Sequence, residues 1–311
     1  MNNELQSFDV VERSQNNQVT LGDILEFLES KKMNNVEQSE HISETETHLD
    51  NNDSFISANK FHNLAVECAQ QKQFNQALSI CLKGLSRYPH DMDLMADAIK
   101  YSSEQGDFET AQLYFEELSR IIPKSNWNWR AYTFSIDYLM CNVLENKDVL
   151  EEIITDYCKY LPNEEKAIVA KSEFEDALGN YQVSLDILKQ AISETSTAPQ
   201  CALRLADKQL ELGMYEDVVQ TARYGMMASA ESQPTINIPY LYFVKALAED
   251  AILHRRAFRN EELDTAEIDI IHREYTTMLE LFPVLTPYRS TIILRTKMLE
   301  MLRTEFFPKQ Q

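Results

Sequence analysis

The sequence is poor in glycine, with only 6 in 311 residues. Hairpin-rich sheet folds draw on glycine for turns of positive φ, so this scarcity favours helices. Positive charge is also short. Lys and Arg number 29 against 50 Asp and Glu, a net charge of −21. Such a chain lacks the clustered cations that phosphate backbones require, and it is repelled by an anionic membrane surface. No apolar run approaches 18 residues, which excludes a helical membrane span. The N-terminus "MNNELQSFDVVERSQNNQ" has no charged stretch followed by an apolar one, so no secretory leader is expected. Five scattered cysteines without a CxxC pair fit structural thiols in a reducing compartment, and the expected location is the cytoplasm.

Catalytic signatures are missing as well. The chain contains no GxxxxGK[ST], GxGxxG, GxSxG or HExxH. Its six histidines have no metal-ligand spacing with one another or with cysteine. Adjacent acids such as Glu151–Glu152 and Glu164–Glu165 point to different parts of a helix surface and cannot share a substrate. No enzyme activity, cofactor or metal is expected. Acidity of this size serves solubility in the first place; its sharper reading is a basic partner.

Residues 1–57 carry 12 acids and 3 bases and are rich in Asn, Gln, Ser and Glu. Their apolar surface is too small to offset the entropy of ordering, so a disordered acidic tail is expected. One island stands out within it. In "TLGDILEFLESKKM", Leu21, Ile24, Leu25 and Leu28 share one helical face, which predicts a short amphipathic helix over 21–32. Such a helix is marginal alone in water.

From residue 58 the pattern is one of helix pairs. Phe74, Phe108, Lys147, Tyr181 and Tyr215 open successive second helices at steps of 34, 39, 34 and 34. Gly106, Gly179 and Gly213 fall two residues before three of them, at the tight turn. Pro89, Pro123 and Pro162 close three second helices, because proline cannot continue a helix. Small residues such as Ala65, Ala77 and Ala111 sit where paired helices approach. Ala77→Leu is expected to overpack the first unit by about 1–3 kcal/mol, read from thermal melting.

This period resembles the tetratricopeptide repeat family. The resemblance covers residues 58–231 and implies an all-α, right-handed solenoid of five units, 58–91, 92–125, 131–164, 165–198 and 199–232. The single five-residue insertion is placed before the third unit, and Cys68, Cys81 and Cys141 fall on inward positions. Beyond the units, an elongated pair is expected over 238–283. A helix over 286–307 is expected to close the array, with Tyr288, Ile292, Leu299, Leu302 and Phe306 on its apolar side.

The resemblance also implies a concave groove lined by the first helices, in which a peptide lies. Carried over position by position, it assigns to the groove Asn59, His62, Val66, Lys100, Tyr132, Ser135, Leu139, Asn142, Glu173 and Asp207. The family's carboxylate clamp needs cations and an amide where this chain has His62, Val66 and Asp97, so that mode is rejected. Two further candidates are the only tryptophans, Trp127 and Trp129, either as an interface anchor or as packing of the widened joint between the second and third units, and the run Arg255, Arg256 and Arg259, either as a site for an acidic segment or as cations that stabilise a helix C-terminus. The amphipathic island matches a helix-in-groove element, which either occludes the protein's own groove or carries a separate motif. The expected function is a non-catalytic adaptor that binds a protein or peptide. The alternative is a peptide-sensing regulator, although such proteins usually carry a helix-turn-helix or helical bundle before the repeats and residues 1–57 contain neither.

Overall fold

The computed structural model describes residues 56–195, 197–232 and 237–307. These residues form thirteen α-helices, two short 3₁₀ segments and no strand. In chain order the helices are α1 (Ala58–Gln70), α2 (Phe74–Arg87), α3 (Met92–Glu104), α4 (Phe108–Ile121), α5 (Trp129–Met140) and α6 (Lys147–Tyr160). They continue with α7 (Glu165–Ala177), α8 (Tyr181–Glu194), α9 (Pro199–Glu211), α10 (Tyr215–Ser232), α11 (Ile238–Phe258), α12 (Thr265–Leu281) and α13 (Arg289–Phe306). The island at 21–32, with Leu21, Ile24, Leu25 and Leu28, and the acidic tail around it lie outside the described residues.

Local chemistry explains the boundaries. Asp91, Asp107, Asn128 and Asp264 cap their helices, each accepting a backbone N–H of the first turn at 2.9–3.1 Å. Gly106, Gly179 and Gly213 hold φ of 75°, 83° and 71° in the turns of their pairs, and Lys72 adopts φ 61° at the matching place in the first. The side chain there meets a left-handed backbone that glycine enters without penalty. The α2, α4, α6 and α8 helices are 14 residues long, whereas α10, with no closing proline, runs for 18.

The first helices α1, α3, α5, α7, α9 and α11 touch one another in sequence, while the second helices make no comparable contacts with their counterparts. The array therefore curves with the first helices on its inner side. Side chains at the inter-helix seams are small: Ala65, Ala77, Ala98, Ala111, Ala202, Ala206 and Ala222 are all fully buried.

The α5 helix departs from the expected register. First helices begin at 58, 92, 129, 165 and 199, which gives steps of 34, 37, 36 and 34. The five extra residues are thus divided: three precede α5, and two lengthen the turn between α5 and α6. That longer turn has no residue of positive φ. Because the register was set on the second helices, it displaced α5 by two residues, enough to turn its expected groove face into the core.

The C-terminal part closes on a second buried centre. Asp250 on α11 has no exposed side-chain surface. His254 Nδ1 lies 2.7 Å from its carboxylate, Tyr275 donates to it from α12 at 3.2 Å, and Arg295 of α13 lies 3.6 Å away. The hydrogen bond to the Asp250 carboxylate raises the His254 imidazole above its ordinary value near 6.5. Its stabilising contribution is therefore complete below about pH 6.5 and is lost as pH rises through the raised value. Melting followed from pH 6 to 9 should show a decline that His254→Gln reduces; an identical slope in the variant would count against the pairing.

Candidate partner-binding groove

Equivalent positions recur along the inner row. Relative to each first helix, the second residue is Asn59, Asp93, Arg130, Lys166 or Gln200, and the ninth is Val66, Lys100, Asp137, Glu173 or Asp207. Asn59, His62, Val66, Lys100, Glu173 and Asp207 are each exposed or half-buried. The other four assignments are corrected. Tyr132 and Ser135 have no exposed surface and Leu139 only 3%, so no partner can reach them without opening the core. Asn142 is exposed but stands in the turn beyond the end of α5. In their place α5 offers Arg130, Thr133 and Asp137, which the two-residue shift had concealed. Cys141 is exposed for the same reason, while Cys68 and Cys81 are buried.

Tyr132 belongs to the widened joint between the second and third units. Its ring stacks on Tyr157 at 4.6 Å and 4°, and its hydroxyl donates to the Lys124 carbonyl at 2.7 Å. Trp127 is 2% exposed, packs against Tyr132 at 5.3 Å and donates through Nε1 to the Ile122 carbonyl at 2.9 Å. It fills the joint and is not an exposed anchor. Trp129 is half-buried, with the Lys166 ammonium 3.3 Å from its ring centroid. The expected basic spot near 255 is also engaged internally. Arg255 pairs with Glu216, Arg256 with Glu267 at 2.7 Å, and Arg259 with Glu261 at 3.8 Å.

The floor of the groove is a network of charges that links successive units. Asp97 is fully buried. Its carboxylate accepts from His62 of the preceding unit and from Arg130 of the following one, both at 2.6 Å. Asn128 donates to Asp93 at 2.7 Å. Lys100 lies 3.7 Å from Asp137, Glu173 pairs with Arg204 at 3.1 Å, and Lys208 pairs with Asp176. Burial pushes the carboxyls of Glu173 and Asp207 above their ordinary range. Burial also lowers Lys166, which makes no ion pair among the described residues. The groove wall is therefore polar and of mixed sign, without a bare acidic track. Among the described residues no group of His, Cys, Asp and Glu could hold a metal, and no helix is long and apolar enough to cross a membrane.

No protein-family model matches the sequence, and no curated protein matches it. Solved structures do match in fold. A tetratricopeptide repeat protein of Parabacteroides merdae superposes with a TM-score of 0.52 at 17% identity, over 78% of this chain and 84% of that one. A thermophilic protein of the same repeat class from Thermus thermophilus gives 0.48 at 16% identity, over 63% and 100%. A human IFIT1 dimer with m7Gppp-AAAA gives 0.43 at 10% identity, over 83% and 70%. The thirteen-helix array and the first of these matches define the fold as that of a tetratricopeptide-repeat solenoid.

Proposed function

We propose that this chain is a non-catalytic scaffold that holds a protein or peptide in the groove formed by its first helices. The observation that carries the reading is the inner row itself. Five consecutive first helices present accessible side chains at equivalent positions, and Lys100, Asp137, Glu173 and Asp207 give that row hydrogen-bonding and charged groups of both signs. A surface of this kind recognises an extended or helical segment carrying both signs of charge, one unit of the array per few residues of ligand. One position used by a carboxylate clamp is filled by Asp97, which is buried and paired with His62 and Arg130, so it offers a ligand carboxylate no cation.

The test reverses one cation and one anion of the row together. A full-length Asp137→Lys, Lys166→Glu variant with unchanged circular dichroism is compared with the native chain in a pull-down from lysate. A partner retained by the native protein should fall at least tenfold on the variant. Equal retention on both would move the interface off the groove.

A further inference from the structure

One cation of the groove floor stands apart from the others. Lys100, Arg130, Arg204 and Lys208 each pair with a carboxylate from a neighbouring unit. Lys166, the second residue of α7, forms no such pair among the described residues. Glu164 and Asp137 pull on its charge, while Arg130 and Lys100 oppose them. Its ammonium rests instead on Trp129, 3.3 Å from the ring centroid. An aromatic face attracts a cation, but it offers no oxygen to the three N–H donors of an ammonium.

The surroundings gather positive charge. The Arg130 guanidinium lies 5.4 Å from the Trp129 ring and 5.2 Å from Phe134, and the Lys100 ammonium lies 4.9 Å from Phe134. The two rings meet edge-on at 6.4 Å and 73°. Three successive first helices, α3, α5 and α7, thus bring cations to one pair of aromatic rings in a chain of net charge −21.

Lys166 is already half-buried. A segment lying in the groove takes it further out of water, and an unpaired charge held there is costly unless the segment brings its own anion. One unmatched ammonium calls for one negative charge. A carboxylate supplies it, whereas the second charge of a phosphate would find Arg130 and Lys100 already paired. The seat is also in mid-row. First helices α1, α3 and α5 precede it and α9 and α11 follow, so a bound segment continues on both sides. That position suits a side chain within the segment and not a chain end.

We propose that Lys166, seated on Trp129, anchors the groove ligand by pairing with an internal aspartate or glutamate side chain of the bound segment. The proposal rests on the groove as the site of recognition. It is tested by panning random twelve-residue peptides, displayed on phage, against the full-length protein. The enriched peptides are then made with acetylated and amidated ends and titrated by calorimetry. They should share an internal acid. Affinity should fall at least tenfold on Lys166→Met, which keeps an unbranched chain over the ring, and equally when the peptide acid becomes Gln. The two changes together should cost no more than either alone, and Lys166→Arg should retain binding. Peptides without a common acid, or losses that multiply, would overturn the proposal. Peptides that lose affinity on Asp207→Lys, one unit further along the row, but not on Lys166→Met would overturn the anchor and leave the groove reading intact. Peptides indifferent to both variants, or no enrichment at all, would overturn both.

Discussion

Replacing Asp97 by alanine is expected to lower the unfolding free energy by about 2–4 kcal/mol. The carboxylate is fully buried, and the His62 imidazole and the Arg130 guanidinium close on it at 2.6 Å. Removing it leaves Arg130 charged, with only 18% of its side chain in water, and leaves His62 without its partner. The loss falls below the upper end for buried pairs because both partners keep some solvent contact. Asp97→Asn should cost less, since the amide oxygen still accepts from Arg130. The damage should be uneven. His62, Asp97 and Arg130 belong to three successive units, so hydrogen exchange should accelerate first in α1 and α2, which lose this link to the units that follow. A denaturation midpoint within experimental error of the native one would show that this triad is not a joint between units.

The second large effect is expected at Gly84, in the last turn of α2. A Cβ built there would meet Leu94 Cδ1 at 2.8 Å and Phe61 Cβ at 3.0 Å. Both neighbours are almost fully buried, so neither can swing into solvent. Gly84→Val should therefore cost about 1–3 kcal/mol through overpacking, despite the gain in helix propensity that alone would favour it. Gly225 holds the equivalent place in α10, with Ala202 Cβ and Leu241 Cδ1 each at 3.0 Å from the added atom. The same substitution there should give a similar loss in a denaturant melt. A neutral result at both sites would mean that the seams between α2 and α3, and between α10 and α11, are looser than described.

The repeat was legible because its markers sit where geometry leaves few alternatives. A small residue is required where helices touch, a proline ends the second helix, and a glycine or its substitute takes the left-handed turn. Those markers lie mainly on the second helices, so they located α2, α4, α6, α8 and α10 well. They said little about where α5 begins, since two residues inserted inside the pair rotate it by more than half a turn relative to its partner. One signal was present: position 145, two residues before the Lys147 marker, is glutamate where three other units have glycine. The charge network was less visible for a different reason. His62, Asp97 and Arg130 are separated by 35 and 33 residues, close to one unit but not equal to it, and each alone reads as a surface residue. Trp127 sits where the repeat spacing is broken, which in sequence fits a packed joint as well as an exposed anchor; burial at 2% selects the joint. Partner identity is set by the ligand's own sequence, which this chain does not encode.

The surface on which a partner lies can be located directly. A photo-reactive residue is placed at position 137, on the inner row, or at position 116, on the exposed side of α4, and the full-length protein is irradiated in native lysate. Capture of one and the same protein or peptide from position 137 and not from position 116 is the expected result. Capture from position 116 alone, or equally from both, would contradict a groove formed by the first helices as the site of recognition.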